Sequence, residues 1–196
     1  LDSKRRYVKK TGITISRSSP SRSKILKDFQ DFAVYDRALP SGKYGIFSGC
    51  GTGKTVMQLT WAFHVSKKTQ KPVIILAPLA VRFQTIREGK KFNIEVSEYS
   101  GSNNSLIQIM NYENIDHIDV SRFSGVVIDE SGILKNETGK YRNKIIDLFS
   151  QTEYKLSCSA TPSPNDPMEY GNQAEFLGVC TRQEMLATYF VHDGGN

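Results

Sequence analysis

At 196 residues the chain has room for one sizeable α/β domain and its core, and not for two domains of about 150 residues or more each. No apolar run approaches the ~20 residues of a membrane-crossing helix, and no apolar stretch follows the basic N-terminus, which argues against a membrane span and a signal peptide. The net charge of +6 is uneven: residues 1–30 carry +7 and the remainder −1, so the basicity belongs to an N-terminal arm and not to the body.

Residues 1–23 are rich in Ser, Lys and Arg, with Pro20, and read as a mobile arm or an extended edge strand. Lys4-Arg5-Arg6 and Lys9-Lys10 either sit on phosphates by charge alone or stay solvated. A single globular domain is expected over 24–196. Leu26, Phe29, Phe32, Ala33 and Leu39 recur near helical spacing, and Pro40 and Gly42 stop that helix. Strands and helices then alternate. Strands are predicted at Tyr44–Ser48, Val73–Ala77, Ile94–Tyr99, Leu106–Met110, Gly125–Asp129 and Tyr154–Cys158. Helices are predicted from Lys54 to about Ser66, Leu79 to about Phe92, Lys140 to Phe149, and after Asp166 and Thr181. This alternation implies an α/β fold with a mainly parallel sheet and helices on both faces. Cys50, Cys158 and Cys180 form no C-x-x-C pair, which argues against a zinc site or disulfide framework and fits a reducing, intracellular compartment.

The strongest local signal is Ser48-Gly49-Cys50-Gly51-Thr52-Gly53-Lys54-Thr55, at a strand-to-helix junction. Such a loop turns successive backbone N–H groups inward, and its glycines let the main chain come close to phosphates. The helix N-terminus adds partial positive charge. Lys54 suits the β and γ phosphates of a nucleotide, and the Thr55 hydroxyl suits Mg²⁺. Gly49 to Thr55 are therefore the candidate nucleotide contacts. Ser48 stands where the usual pattern has its first glycine, a departure common in helicases and uncommon in nucleotide kinases. Further along, Val126-Val127-Ile128 is an apolar strand that delivers Asp129 and Glu130 to the carboxyl edge of the sheet, where ligands bind in such folds. Asp129 is the candidate Mg²⁺ ligand, and Glu130 the candidate base for the attacking water.

From these motifs onward the chain resembles superfamily 2 helicases, and within them the Swi/Snf-like translocases. Asp129-Glu130-Ser131-Gly132-Ile133-Leu134-Lys135-Asn136 is similar to the D-E-x-H-x-L-K-N form of motif II, with Gly132 where the family usually has His. That His normally helps couple the ATP site to motif III. Motif III itself resembles Leu156 to Pro162, with Ser159-Ala160-Thr161 at its centre, and the continuation Asn165, Glu169, Phe176 and Leu177 fits the Swi/Snf pattern. Leu26-Lys27-Asp28-Phe29-Gln30 looks like the adenine-reading Q motif, and the Gln30 amide offers the donor and acceptor that adenine requires. Pro78-Leu79 looks like motif Ia and Asn111-Tyr112 like motif Ib, which in the family touch the nucleic-acid backbone; Tyr112 suits a packed core equally well. The segment Tyr189 to Gly195 is similar to phage-encoded members.

The resemblance covers roughly residues 25–180. It implies a RecA-like P-loop domain that uses ATP and Mg²⁺, acts on nucleic acid, with DNA favoured over RNA, and works in the cytoplasm of a bacterium or phage-infected cell. It also implies a second RecA-like domain carrying an arginine finger, for which this length leaves no room; a start at Leu1 rather than Met points to a processed product or a piece of a longer protein. Other P-loop classes fit less well. A GTPase needs N-K-x-D, and the nearest string, Asn143-Lys144-Ile145-Ile146-Asp147, is one residue too long and lies in a predicted helix. A small-molecule kinase would carry a lid of arginines that is not seen. A non-catalytic binding module would have no need to keep Lys54, Thr55, Asp129 and Glu130 together.

Overall fold

The computed structural model describes residues 24–102, 104–134, 140–162 and 170–189. The basic arm, Lys135-Asn136, Asn165, Glu169 and residues 190–196 lie outside the described residues.

Six parallel strands form one sheet in the order β1-β6-β5-β2-β4-β3: β1 Lys43–Phe47, β2 Val73–Ala77, β3 Ser97–Glu98, β4 Ile107–Asn111, β5 Gly125–Asp129 and β6 Tyr154–Ser159. The residues of β2, β4, β5 and β6 are buried on both faces, as expected for strands roofed by helices on either side. Alternation along the strands sorts the core into two layers. Val73, Ile75, Val127, Leu156 and Cys158 pack with Met57, Leu59, Trp61 and Val65 of helix α3, Lys54–Thr69. Ile74, Leu76, Val126 and Ile128 pack with Ile145 of α5, Lys140–Leu148, and with Phe176 and Leu177 of α6, Tyr170–Leu177. Helix α4, Leu79–Lys91, shares the first layer through Ile86, and α7, Arg182–Tyr189, follows α6. The expected RecA-like α/β architecture is the one observed.

Two local expectations change. The first helix is not regular: α1, Asp28–Asp31, opens into a π-helical stretch, Phe32–Ala38, before a short turn α2, Leu39–Ser41. Pro40 has no N–H to give, and the N–H of Leu39 reaches five residues back to the Val34 carbonyl. The wider turn buries Val34 and Ala38 fully, and the Ala38 carbonyl accepts the Trp61 indole N–H at 3.3 Å. The predicted strand Ile94–Tyr99 shrinks to Ser97–Glu98. Its first half turns back against α4 instead: Asn93 takes a left-handed φ of 55°, and the Ile94 N–H bonds the Gly89 carbonyl at 2.9 Å. Ile94 and Val96 are buried there by packing, so their apolar character does not signal strand pairing.

Candidate functional site

Three chain segments meet at the carboxyl edge of the sheet. Parallel register sets Phe47 beside Ser159 and Asp129 beside Cys158, and the Ser48 N–H donates to the Ser159 carbonyl at 3.2 Å. The glycine-rich loop after β1, the carboxylates after β5 and the Ser159-Ala160-Thr161 turn after β6 therefore lie side by side.

The loop leads directly into α3. Gly51 and Gly53 hold φ of 74° and 81°, which side-chain-bearing residues rarely adopt. At Gly53, the N-cap of α3, a Cβ would also lie 2.4 Å from the Gln30 amide nitrogen. Ser48 and Thr52 join through their hydroxyls at 2.8 Å, and the Thr52 hydroxyl donates to the Gly49 carbonyl at 2.8 Å. Lys54 folds over this loop and donates to the carbonyls of Ser48 and Gly49 at 2.9 and 3.0 Å. Its ammonium is held by neutral acceptors, weaker partners than a phosphate. Cys50 is exposed at the tip, and Thr55 is half-buried in the first turn of α3.

Gln30 is buried beside the loop. Its Nε2 donates to the Thr52 carbonyl at 2.7 Å, and its Oε1 accepts from the Lys27 N–H at 2.9 Å. These two bonds fix which way the amide points, and they leave one N–H and one lone pair unused.

Alternation places Asp129 on the face covered by α3, next after Val127. Only 5% of Asp129 is exposed, and burial raises its carboxyl above the usual range; Gln58 and Lys54 pull it back, while Glu130 adds to the rise. Glu130 is half-buried in a left-handed turn, φ 55°, that carries the chain off the strand. Tyr112 braces this turn. Its hydroxyl donates to the Asp129 carbonyl, with the Glu130 carbonyl 3.5 Å away. Burial, with both carboxylates nearby, pushes the phenol well above its ordinary range, so it stays a donor. Ser159 is fully buried and accepts the Thr161 N–H at 3.1 Å; Ala160 is half-buried and Thr161 exposed.

The expected nucleic-acid contacts separate into two kinds. Pro78 and Leu79 sit at the end of β2, where Leu79 is 52% exposed. Asn111 and Tyr112 are buried, Tyr112 in the packed position that the sequence left open for it: the Asn111 side chain caps the next turn by accepting the Asn114 N–H at 3.1 Å, and Tyr112 serves the acidic turn. Sequence reasoning missed Gln58, fully buried beside Asp129 and not flagged by any motif. It also missed a cleft of about 360 Å³ at the ends of β3 and β4, lined in part by Arg82, Glu98, Tyr99, Asn114 and His117. The string Asn143 to Asp147 lies inside α5 with Ile145 in the core, which is no place for a guanine-reading loop.

Comparison with known proteins agrees with this fold. Solved structures of similar fold include the SWI2/SNF2 ATPase core of Sulfolobus solfataricus in complex with dsDNA, at TM-score 0.70 and 17% identity over 85% of this chain and 39% of that one. The UvsW helicase of bacteriophage T4 matches at TM-score 0.65 and 15% identity over 79% of this chain and 58% of that one. The Hef helicase domain of Pyrococcus furiosus matches at 0.64 and 16% over 78% and 37%. The chain thus spans less than two thirds of each of these proteins. No curated protein matches by sequence. The family model described as "Type III restriction enzyme, res subunit" (ResIII) matches residues 23–164; the chain belongs to that family, as an ATP-binding RecA-like domain of the superfamily 2 helicase and translocase type.

Proposed function

We propose that this domain binds ATP with Mg²⁺ at the edge formed by β1, β5 and β6, and that hydrolysis there drives movement on DNA. One observation carries the reading: Lys54, held by carbonyls of its own loop, shares an edge with a buried carboxylate and a second acid in a strained turn. On binding, Lys54 exchanges those carbonyls for phosphate oxygens, and the loop N–H groups close around the phosphates. Gln30 is oriented to read the adenine edge with its unused donor and acceptor. The donor set suits Mg²⁺, since the Thr55 hydroxyl and Asp129 carboxylate are hard oxygen ligands and the buried Gln58 amide beside Asp129 makes no hydrogen bond of ordinary geometry with the described residues. Bound there, Mg²⁺ would neutralise charge on the β and γ phosphates. Glu130 takes the proton of the attacking water. Ser159-Ala160-Thr161, tied to the loop through the Ser48–Ser159 bond, is placed to register the occupant of the site.

For DNA, the reading rests on the edge around Pro78, exposed Leu79 and the cleft beside Arg82, where main chain and polar groups suit a phosphate backbone. The side chains of Asn111 and Tyr112 shape that edge from beneath. Neither duplex separation nor directional stepping follows from one domain; both need a partner domain that closes on ATP. The arginine finger supplied by such a second RecA-like domain is worth about 10³–10⁵ in rate. Residues 1–196 alone are therefore expected to bind ATP·Mg²⁺ and to turn it over slowly, with little response to duplex DNA. Fluorescent-nucleotide titration of the parent and Lys54→Ala, with steady-state turnover with and without DNA, tests this. Equal nucleotide affinity in parent and variant would sink the site.

A further inference from the structure

Gln58 has no role in any motif, yet the fold treats it unusually. It is fully buried in the third residue position after Thr55, so the two share one face of α3. That face meets the end of β5, where alternation delivers the Asp129 carboxylate, and the Gln58 amide lies against it. Among the described residues, neither the Oε1 nor the Nε2 of Gln58 finds a hydrogen bond of ordinary geometry, a rare state for buried polar atoms. A core position between Met57 and Leu59 could hold an apolar residue at no polar cost. An amide kept there with capacity to spare indicates a partner that arrives with the ligand.

We propose that Gln58 is a positioning residue for the Mg²⁺ site: its Nε2 donates to the Asp129 carboxylate and aims it, and its Oε1 accepts from a water in the hydration shell of the cation. This rests on the ATP·Mg²⁺ reading above. The chemistry fits the residue type. Mg²⁺ keeps several waters when bound by one or two protein oxygens, and those waters need acceptors. An amide supplies a donor for the carboxylate and an acceptor for water, a pairing that Glu, Lys or Met cannot provide. Groups that orient a ligand in this way typically change metal affinity by about 10–100-fold when removed.

The test uses the 196-residue chain with Gln58→Met, which keeps length and volume, and Gln58→Asn, which keeps the amide on a stem too short to reach. Binding of a fluorescent ATP analogue is titrated with Mg²⁺ and repeated in chelator, beside a melting curve for each protein. In both variants the Mg²⁺ concentration for half-maximal enhancement should rise about 10-fold or more. Affinity in chelator should match the parent, and the melting temperature of Gln58→Met should hold or rise, because an unsatisfied amide has left the core. A parent-like Mg²⁺ dependence in either folded variant overturns the proposal, as does an equal loss of affinity with and without Mg²⁺, which would mark Gln58 as a packing residue. If the parent shows no Mg²⁺-dependent binding, the ATP·Mg²⁺ reading itself fails, and the two failures are told apart within one experiment.

Discussion

Asp129 and Lys155 are buried charged residues on neighbouring strands of one sheet, at opposite ends of it, and their surroundings differ in kind. Around Asp129, at the carboxyl edge, stand groups with capacity left over: Lys54 on its own loop's carbonyls, the orphaned amide of Gln58, and the half-buried Glu130. Around Lys155, near the amino end of β6, no carboxylate among the described residues pairs with its charge. The ammonium reaches the Ser150 carbonyl at a long 3.4 Å, lies 5.5 Å from the centre of the Phe176 ring, and has Lys43 opposite it in register. Burial first, and Lys43 second, bring its pKa down to about 8. Both side chains are costly to bury. Of these two ends, it is at the carboxyl edge that the described groups around the charge are ones a ligand would satisfy, which supports the site proposed there.

The largest break in the comparison should come from Glu130→Gln. The amide keeps the shape of the turn but cannot accept the water's proton, so turnover should fall by about 10²–10⁴ while nucleotide affinity stays near parental. The measurement is steady-state ATPase in the longest active form of the protein, with affinity measured in parallel. Near-normal turnover would put the base elsewhere.

A smaller effect is expected at Gln30. Its two backbone bonds orient the amide, so Gln30→Ala should weaken all nucleotides somewhat through the loop. The telling quantity is the ratio of ATP to GTP affinity, which should narrow by on the order of 1–3 kcal/mol if a buried pair of hydrogen bonds to adenine is lost. Equal affinity for ATP and GTP in the parent would refute the adenine assignment.

What could be read from sequence was what depends on neighbours along the chain. Val73–Ala77 and Gly125–Asp129 form the predicted strands because unbroken apolar runs have one stable place, a strand covered on both faces. The glycine-rich loop was legible for the same reason, since its φ demands are local. What was hidden depends on which distant face a residue meets. Ile94 and Val96 look like strand residues but pack against α4, and the π-helical stretch follows from Pro40 combined with the seat of Ala38 on Trp61. Sequence left Tyr112 open between a nucleic-acid contact and a packed core, and its partner, the Asp129 carbonyl, lies on another strand. Gln58 is a polar residue in a long helix, a pattern that ordinarily marks a solvated face; only the strand parity that aims Asp129 at α3 reveals it.

The smallest expected functional effect comes from the other end of the sheet. Lys155 titrates near 8 in the folded chain, against 10.5 for the ordinary side chain. Below about pH 8 the residue is charged in both states, and the fold bears the full cost of burying it. Between that point and about 10.5 the unfolded chain binds more protons than the folded one, so this residue's contribution to stability rises with pH. Lys155→Met keeps the length of the stem against Phe176 and removes the ammonium. The variant should be more stable than the parent at pH 7, with each 1 kcal/mol gained raising the melting temperature by roughly 2–4 °C. The gap between the two proteins should close as pH climbs from 8 towards 10.5, because the parent sheds its penalty there and the variant has none to shed. Nucleotide affinity should be unchanged, since the contacts of Lys155 with Ser150, Phe176 and Lys43 lie away from the carboxyl edge. Melting curves of both proteins at pH 7 and 10, with one nucleotide titration each, decide the matter. A variant less stable at pH 7 would mean that the ammonium holds the end of β6 in place, and a loss of ATP affinity would show that the two ends of the sheet are linked.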